Sequence, residues 1–196
     1  MESTALGAIL TGGQSTRMGE DKALVRLAGK PMGLWVAEAI EAAGLEVVTF
    51  GGYQRVGDYE TIADPPGMHG PLAGLMAALE YSEHRPVFIA AVDQPLLQPH
   101  TVEALLSTWT HDAVIPMDED RPQVTCAVYR ASCLPAIRRV TSVNPDASMR
   151  DLLEYVSVRF VEPDEWAEWG EDGRSWRSVD TPEDLAAVHE LLGEPK

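Results

Sequence analysis

The apolar run Pro86-Val87-Phe88-Ile89-Ala90-Ala91-Val92, followed by Asp93-Gln94-Pro95, decides the fold of this chain. Its side chains are apolar at odd and even positions alike, which predicts a strand that is buried on both faces. Strands of this kind occur in parallel sheets that are covered by helices on both sides. We therefore expect a central strand here, with Asp93 at its carboxyl end.

Shorter apolar segments and helical patterns alternate along most of the remaining sequence. Strands are predicted at 6–10, 46–50, 61–63, 113–116, 124–130 and 156–161. Helices are predicted to begin at Pro31, Pro71 and Pro99, to cover 132–140 and 148–155, and to close the chain from Thr181-Pro182 to Leu192. Because strands that alternate with helices form mostly parallel sheets, we expect a three-layer, Rossmann-like α/β fold. A chain of 196 residues is expected to form a single domain, 1–196.

The charge of the chain excludes one class of partner. There are 15 lysines and arginines against 31 aspartates and glutamates, a formal net charge of −16. Proteins that coat DNA or RNA neutralise phosphates with many basic groups, so no nucleic-acid partner is expected. No apolar run reaches the roughly 18 residues of a membrane span, and the N-terminus shows no basic leader, so we expect a cytoplasmic protein. The cysteines Cys126 and Cys133 have no spacing typical of zinc sites or disulfide frameworks.

The stretch Leu10-Thr11-Gly12-Gly13-Gln14-Ser15-Thr16-Arg17-Met18-Gly19-Glu20-Asp21-Lys22 follows the first predicted strand. Sheets of this class bind ligands beyond the carboxyl ends of their strands. Gly12 and Gly13 let backbone N–H groups approach phosphate oxygens without obstruction by side chains. Arg17 can fork onto phosphate oxygens, and Lys22 adds a compact positive charge. The stretch therefore predicts a phosphate-binding loop within an acidic chain.

Two well-known glycine loops do not match this stretch. A P-loop needs GxxxxGK[ST], but Ala23 follows Lys22, and no window supplies the GxGxxG of dinucleotide-binding folds. For the paired glycines alone, an ordinary surface loop is the favoured interpretation. For the whole stretch after a buried strand, phosphate binding is favoured.

Asp93 is a candidate metal ligand. Mg²⁺ prefers carboxylate and phosphate oxygens and retains several waters, so a carboxylate on a rigid strand end that faces phosphates suits it. The alternative is that Asp93 caps the turn that it forms with Gln94-Pro95.

The stretch at 10–22 resembles the signature of the molybdenum cofactor guanylyltransferases, within the nucleotidyltransferase superfamily of glycosyltransferase-A-like fold. The resemblance continues through most of the chain, at Leu27–Pro31, Gly70–Gly74, Val92–Pro95, Pro122–Val128 and Val179–Leu185. The motif at 10–22 is specific, and the later ones are moderately so.

The resemblance implies roles for individual residues. Residues that would contact the guanosine triphosphate are Leu10, Thr11, Gly12, Gly13, Lys22, Asp64 and Asp93, with Arg17, Lys22 and Asp93 in catalysis and Asp93 on Mg²⁺. Asp64 would accept from a base or ribose group, and its alternative role is a turn aspartate before Pro65-Pro66. Asp180 is a candidate second metal ligand or pterin-side ligand, with the capping of the next helix as its alternative.

Two positions depart from the pattern of the family. Phe50 stands where a polar contact, often Asn, is expected, so a backbone contact or stacking would have to replace it. Asp93-Gln94-Pro95 is more typical of cytidylyl-transferring relatives, whereas the paired Gly12-Gly13 and Pro71–Gly74 favour guanine.

The implied reaction transfers GMP from GTP to the terminal phosphate of molybdenum-molybdopterin and releases pyrophosphate. The implied cofactor is Mg²⁺, and molybdoenzyme apoproteins or other cofactor-biosynthesis proteins are the implied protein partners. The alternatives are a cytidylyltransferase for the same cofactor, a sugar-phosphate nucleotidyltransferase, and a nucleotide sensor or cofactor carrier without catalytic activity.

The acidic segment 162–174 carries six acids and one arginine, which predicts an exposed loop. Trp166, Trp169 and Trp176 lie in or beside this segment. We expect them to pack it against the domain, and the alternative is a flat face for the pterin ring.

Overall fold

The computed structural model describes residues 5–12, 25–52, 55–108 and 110–191. Its strands are β1 (Leu6–Leu10), β2 (Arg26–Leu27), β3 (Lys30–Pro31), β4 (Glu46–Phe50), β5 (Thr61–Ile62), β6 (Val87–Ala91), β7 (Ala113–Asp118), β8 (Arg121–Pro122), β9 (Cys126–Tyr129) and β10 (Val158–Val161). Its α-helices are α1 (Met32–Ala42), α2 (Pro71–Tyr81), α3 (Pro99–Ser107), α4 (Leu134–Val143), α5 (Met149–Leu152), α6 (Pro163–Glu168) and α7 (Pro182–Leu191). Short 3₁₀ turns cover Ala131–Cys133, Leu153–Tyr155 and Arg174–Trp176.

The main sheet has the strand order β10-β7-β9-β6-β1-β4-β5, and β8 extends β7 as a hairpin. Strands β5, β4, β1 and β6 run parallel to one another, as do β7 and β10. Strand β9 is antiparallel to both of its neighbours, β6 and β7. The prediction of a mostly parallel sheet with β6 near its centre is confirmed, and β9 and the short β8 are its antiparallel members in the described ranges.

Each face of the sheet carries its own layer of apolar side chains. On one face Ile9, Phe88 and Ala90 pack with residues of α1 and α3. On the other face Ala8 and Ile89 pack with residues of α2, α4 and α5. This alternation buries β1 completely and β6 as far as Ala90, and it confirms the predicted three layers.

A small third cluster connects the end of the chain to the hairpin β2–β3. It consists of Val25, Leu27, Met32, Leu96, Val179 and Val188, with Trp35 and Leu185 packed against them. Leu96 follows β6, and Val179 precedes α7. The cluster therefore holds the segment before α7 against the carboxyl end of the central strand.

The prediction of an exposed loop at 162–174 is right about exposure and wrong about the loop. Most residues of the segment are exposed, but it contains α6, and its Glu171 is 4% exposed. Trp166 donates from Nε1 to the carbonyl oxygen of Met117 at 2.8 Å and meets the Trp176 ring edge to face, with centroids 5.3 Å apart. The tryptophans thus pack the segment down, as the favoured interpretation of these residues expected.

No helix in the described ranges is both long enough and apolar enough to cross a membrane.

Candidate active site

The carboxyl ends of β1, β4 and β6 lie side by side. In the register of the sheet, Leu10 is opposite Phe50 on one side and Ala91 on the other. The pairing continues past the strands, because Thr11 N donates to Phe50 O at 2.9 Å and Val92 N donates to Leu10 O at 3.1 Å. The residues that follow each strand therefore share one edge of the sheet, where ligands bind in folds of this class.

The backbones that leave β1 and β4 touch each other at this edge. The hydroxyl of Thr11 is buried and lies 3.1 Å from each of the carbonyl oxygens of Phe50 and Gly51, to which it donates. A Cβ atom at Gly51 would lie 3.1 Å from both N and Cα of Gly12, and one at Gly52 would lie 2.7 Å from Thr11 Oγ1. Gly51 and Gly52 also have positive φ angles of 75° and 54°, so this close approach requires glycine.

Asp64 points into the same place from the turn after β5. Its Oδ1 atom is buried and has no hydrogen-bond partner in the described parts of the chain. This atom lies 3.3 Å from the position that a Cβ would take at Gly51 and 3.9 Å from that at Gly74 of α2. Burial raises the pKa of the Asp64 carboxyl, and the nearby charge of His69 opposes this rise. An oxygen that capped the local turn would accept a hydrogen bond, so the turn role does not account for Oδ1.

Gly12, Gly51 and Gly74 lie next to the Asp64 carboxyl, and Gly52 lies next to Gly12 and Thr11. We call these four residues the glycine cradle. The Oδ2 atom of Asp64 lies 3.7 Å from the Cβ position at Gly12. A Cβ at Gly74 would lie 2.8 Å from Leu10 Cδ2, so α2 packs on the end of β1 without room for a side chain. Gly12 is among the predicted site residues, whereas Gly51 and Gly52 are not. The signal that could have found them is a glycine pair directly after a neighbouring strand.

Asp93 and Asp180 are brought to the same edge by a main-chain hydrogen bond. Val179 N donates to the carbonyl oxygen of Asp93 at 2.9 Å, and Asp180 is the next residue. Ser178 Oγ donates to Asp180 Oδ2 at 2.7 Å. Both aspartates are partly exposed. Their carboxylates therefore border one surface beyond the end of β6.

The capping of α7 is performed by residues other than Asp180. The side chain of Thr181 accepts from Asp184 N at 3.1 Å. In return, the Asp184 carboxylate accepts from the N–H groups of Thr181 and Asp180 at 2.9 Å and 3.1 Å. These contacts lower the pKa of the Asp184 carboxyl, with the Thr181 hydroxyl as the largest cause. The side chain of Asp180 is therefore not the cap of α7. Of the two roles predicted for Asp180, the ligand role remains a prediction.

Gln94, one of the two departures from the family pattern, has a structural role. Its side chain is 2% exposed, and Oε1 accepts from Ala91 N at 2.9 Å. Its Nε2 lies 3.4 Å from Thr125 Oγ1 and 3.5 Å from Trp176 O, to which it donates. Because these contacts hold the side chain inside the protein, Gln94 is not evidence for cytosine over guanine.

Phe50, the other departure, is fully buried. Its ring meets Tyr81 edge to face, with centroids 5.9 Å apart. A stacking contact between the Phe50 ring and a ligand is therefore excluded. The main-chain carbonyl oxygen of Phe50 accepts from Thr11 and so helps to form this edge of the sheet.

The predicted site residues fall into two adjacent groups. Leu10, Thr11, Gly12 and Asp64 meet at the glycine cradle, and Asp93 and Asp180 meet beyond β6. Leu10 joins the groups, since its side chain contacts the Gly74 position and its carbonyl oxygen accepts from Val92. Gly13, Arg17 and Lys22 lie outside the described residues.

Comparison with known proteins places this geometry among nucleotidyltransferases. The model of the MobA-like NTP transferase domain matches residues 7–161. The chain is 33% identical over 200 residues to a probable molybdenum cofactor guanylyltransferase of Natronomonas pharaonis, covering 95% of this chain and 97% of that protein. It is 32% identical over 163 residues to the probable molybdenum cofactor guanylyltransferase of Bacillus licheniformis, covering 80% and 83%. Among solved structures, molybdopterin-guanine dinucleotide biosynthesis protein A of Archaeoglobus fulgidus is similar with a TM-score of 0.83 and 25% identity, over 95% of this chain and 98% of that one.

Proposed function

Because the chain belongs to the family of MobA-like NTP transferase domains, we propose that it transfers GMP from GTP to the terminal phosphate of molybdenum-molybdopterin. The other product is pyrophosphate. In this reaction an oxygen of the pterin phosphate forms a bond to the α-phosphorus of GTP, and the bond from that phosphorus to the β-phosphate oxygen breaks. The names of the relatives support both the donor nucleotide and the acceptor.

The observation that carries the proposal is the buried Asp64 Oδ1 atom, which has no hydrogen-bond partner among the described residues. A buried acceptor that lacks a donor costs about 1–3 kcal/mol, so a ligand that supplies a donor there gains that free energy. Guanine offers neighbouring N1–H and 2-amino donors, and a ribose offers a hydroxyl donor. Asp64 is partly exposed at the edge of the glycine cradle, which is where such a group would approach its carboxyl. We propose that Asp64, Thr11 and Gly12 hold the nucleoside part of GTP, with Leu10 beside them.

We propose that the triphosphate lies along the stretch that begins at Gly12. The N–H groups of Gly12 and Gly13 would face phosphate oxygens, and Arg17 and Lys22 would add positive charge. Acidic residues elsewhere in the chain repel the triphosphate only weakly, because the screening length is about 8 Å at physiological salt.

Asp93 and Asp180 fit a divalent cation by their chemistry, since hard carboxylate oxygens are what Mg²⁺ prefers. In the described ranges, no group of three or more His, Cys, Asp or Glu residues could hold a metal by itself. Phosphate oxygens and water would complete the coordination, which is typical of Mg²⁺ in phosphoryl transfer. When bound, Mg²⁺ would supply positive charge against the phosphate oxygens during the transfer.

The residues of this chain would act by binding and orienting the two anions. The attacking phosphate is already charged, so the reaction needs no general base. Cys126 and Cys133 are unsuited as nucleophiles, since burial raises the pKa of both thiols, to about 12 for Cys133. Positioning and charge stabilisation are the main sources of rate in phosphoryl transfer. Arg17, Lys22 and the glycine backbone would reduce the repulsion between acceptor and donor.

The decisive experiment measures pyrophosphate release with GTP, CTP, ATP and UTP, with Mg²⁺ and with or without molybdenum-molybdopterin. We expect release with GTP that depends on the pterin acceptor. Preferred release with CTP would indicate a cytidylyltransferase, and release with a sugar phosphate alone would indicate a sugar-phosphate nucleotidyltransferase. Tight GTP binding without pyrophosphate under any acceptor would indicate a sensor or carrier.

A further inference from the structure

Glu171 is buried, and both of its carboxylate oxygens are used as acceptors. Oε1 accepts from the N–H groups of Asp172, Gly173 and Ser175 at 3.0, 2.8 and 3.3 Å. Oε2 accepts from the hydroxyls of Thr101 and Ser175. A carboxylate removed from water is tolerated only where its acceptor sites are filled in this way. Glu171 therefore fixes the backbone of the turn that follows it and ties that turn to α3.

The same turn holds the loop between β6 and α3. Ser175 Oγ, which donates to Glu171, accepts from Gln98 N at 3.0 Å. The carbonyl oxygen of Trp176 accepts from Gln94 Nε2 at 3.5 Å. Gln94 follows Asp93 directly, so the loop that carries Asp93 is held on this side by residues that Glu171 orders.

The chain then runs from Trp176 to Asp180, and we call residues 171–180 the anchor segment. Val179 N binds the carbonyl oxygen of Asp93 at 2.9 Å, one residue before Asp180. The anchor segment thus begins at Glu171 and ends at the second candidate metal ligand. Between these points it makes three hydrogen bonds to the loop between β6 and α3, which carries Asp93, the first candidate ligand.

We propose that Glu171 is a positioning residue for the acidic pair Asp93 and Asp180. By fixing the anchor segment, it sets where the two carboxylates stand relative to each other. In this proposal Glu171 acts through the anchor segment, since its carboxylate is occupied by Thr101, Asp172, Gly173 and Ser175. This inference rests on the proposed function, in which that pair holds the divalent cation.

The test separates metal-dependent binding from stability. The affinity of the full-length protein for guanosine 5′-(α,β-methylene)triphosphate is measured by calorimetry with Mn²⁺ and without a divalent cation. The ratio of the two affinities, here the metal ratio, reports the contribution of the metal. The thermal unfolding midpoint is measured in parallel. A role of Glu171 in stability alone would lower the midpoint and leave the metal ratio unchanged.

We expect Glu171→Ala to lower the metal ratio about tenfold, the lower end of what the loss of an outer-shell partner costs. Glu171→Gln should lower it less, because the amide oxygen can still accept from the three N–H groups while the amide nitrogen cannot accept from the hydroxyls. Ser175→Ala provides a milder variant should the Glu171 variants fail to fold. It removes the hydroxyl that links Glu171 to Gln98 N and that also lies 3.3 Å from Thr101 Oγ1, but it keeps the Glu171 carboxylate and its three N–H donors. A smaller loss in the same direction is expected.

Asp112→Asn is the matched control. Asp112 also anchors a turn, accepting from Ser132 Oγ at 2.5 Å and from Ser157 N at 2.9 Å, but it precedes β7 and so lies at the opposite end of the sheet. It should lower the unfolding midpoint and leave the metal ratio unchanged.

Two outcomes overturn the inference and are distinguishable. In the first outcome, Asp93→Ala lowers the metal ratio to about one, so that the metal no longer contributes to binding. If Glu171→Ala, Glu171→Gln and Ser175→Ala then all keep the wild-type ratio, Glu171 does not position the pair. If Asp93→Ala itself keeps the wild-type ratio, the proposed metal role of Asp93 is wrong, and the inference fails with it.

Discussion

The main-chain N–H of Val179 donates to the main-chain carbonyl oxygen of Asp93 at 2.9 Å. This bond joins the end of the central strand to a segment from near the end of the chain. Asp93 is thereby fixed on both sides, by β6 before it and by Val179 against it. Such rigidity is what a ligand-holding carboxylate needs, because a group held in place spends little free energy on ordering when the ligand arrives.

Replacing Asp93 tests the proposed metal ligand. We expect Asp93→Ala to lower turnover with GTP about 10²–10³-fold, as the loss of a charge-positioning group in a transfer site does. The unfolding midpoint should stay near that of the wild type, because the bond to Val179 uses the main chain. Asp146→Asn, an exposed aspartate in the turn before α5, removes the same charge and should have wild-type turnover. Normal turnover of Asp93→Ala would refute its metal role.

Lys22 is predicted to carry positive charge to the triphosphate. Lys22→Ala should lower turnover by orders of magnitude and weaken GTP binding, measured by initial rates and calorimetry. Lys30→Ala is a suitable comparison, because Lys30 is engaged with Glu38 and the Trp35 ring. Its loss should change stability slightly and turnover little. Equal effects of the two variants would show that only net charge matters.

The sequence predicted β6 and the edge beyond it because the physical signal was local. Seven consecutive apolar residues, Pro86 to Val92, fit only a strand covered on both faces, and Asp93 follows without a gap. Asp64 was also predicted, but with a turn role open beside the ligand role. The partnerless Oδ1 atom, which depends on how β4, β5 and α2 pack, favours the ligand role.

Other features depend on contacts between residues far apart in sequence, and local patterns do not contain them. The charge count of 162–174 correctly predicted that most of the segment is exposed. A count cannot reveal that the segment contains α6 or that the Glu171 carboxylate is surrounded by donors. The sequence suggested that Gln94 indicates which base is bound, but its side chain donates to Trp176 O and so has a structural role. Phe50 suggested stacking, yet Tyr81 covers its ring.

The glycine cradle predicts a steric effect on nucleotide binding. Gly51→Ala would place a Cβ 3.1 Å from the Gly12 backbone and 3.3 Å from Asp64 Oδ1, so the KM for GTP should rise at least tenfold. Gly44→Ala is the control, because Gly44 has a similar φ of 82° but nothing within 4 Å of its Cβ position. Both variants should lose about 1–2 kcal/mol from the left-handed backbone. A KM raised equally in both would contradict the cradle.

The partly buried Asp64 carboxyl should make the free energy of unfolding depend on pH. The sign of this dependence is opposite to that of an aspartate in an ion pair. Burial raises the pKa of its carboxyl, so the folded protein holds the proton more tightly than the unfolded chain. The stability associated with Asp64 is therefore full below the unfolded pKa and is lost as the pH rises through the raised one. Without nucleotide, Asp64→Asn should be more stable than the wild type at neutral pH, because the neutral amide avoids the cost of partly burying a charge.

The comparison variant for this pH dependence is Asp112→Asn. The Ser132 hydroxyl, followed by the Ser157 N–H, lowers the pKa of the Asp112 carboxyl, so the stability it provides is present at neutral pH and lost on acidification. Chemical unfolding between about pH 3 and pH 8 should therefore show opposite signs: Asp64→Asn stabilises and Asp112→Asn destabilises at neutral pH, and both differences shrink toward acid. Asp64→Asn should at the same time weaken GTP binding, because an amide accepts a hydrogen bond from the nucleotide more weakly than a carboxylate does. An Asp64→Asn protein that is less stable than the wild type at neutral pH, or that binds GTP equally well, would show that Oδ1 has a structural partner and is not held for the ligand.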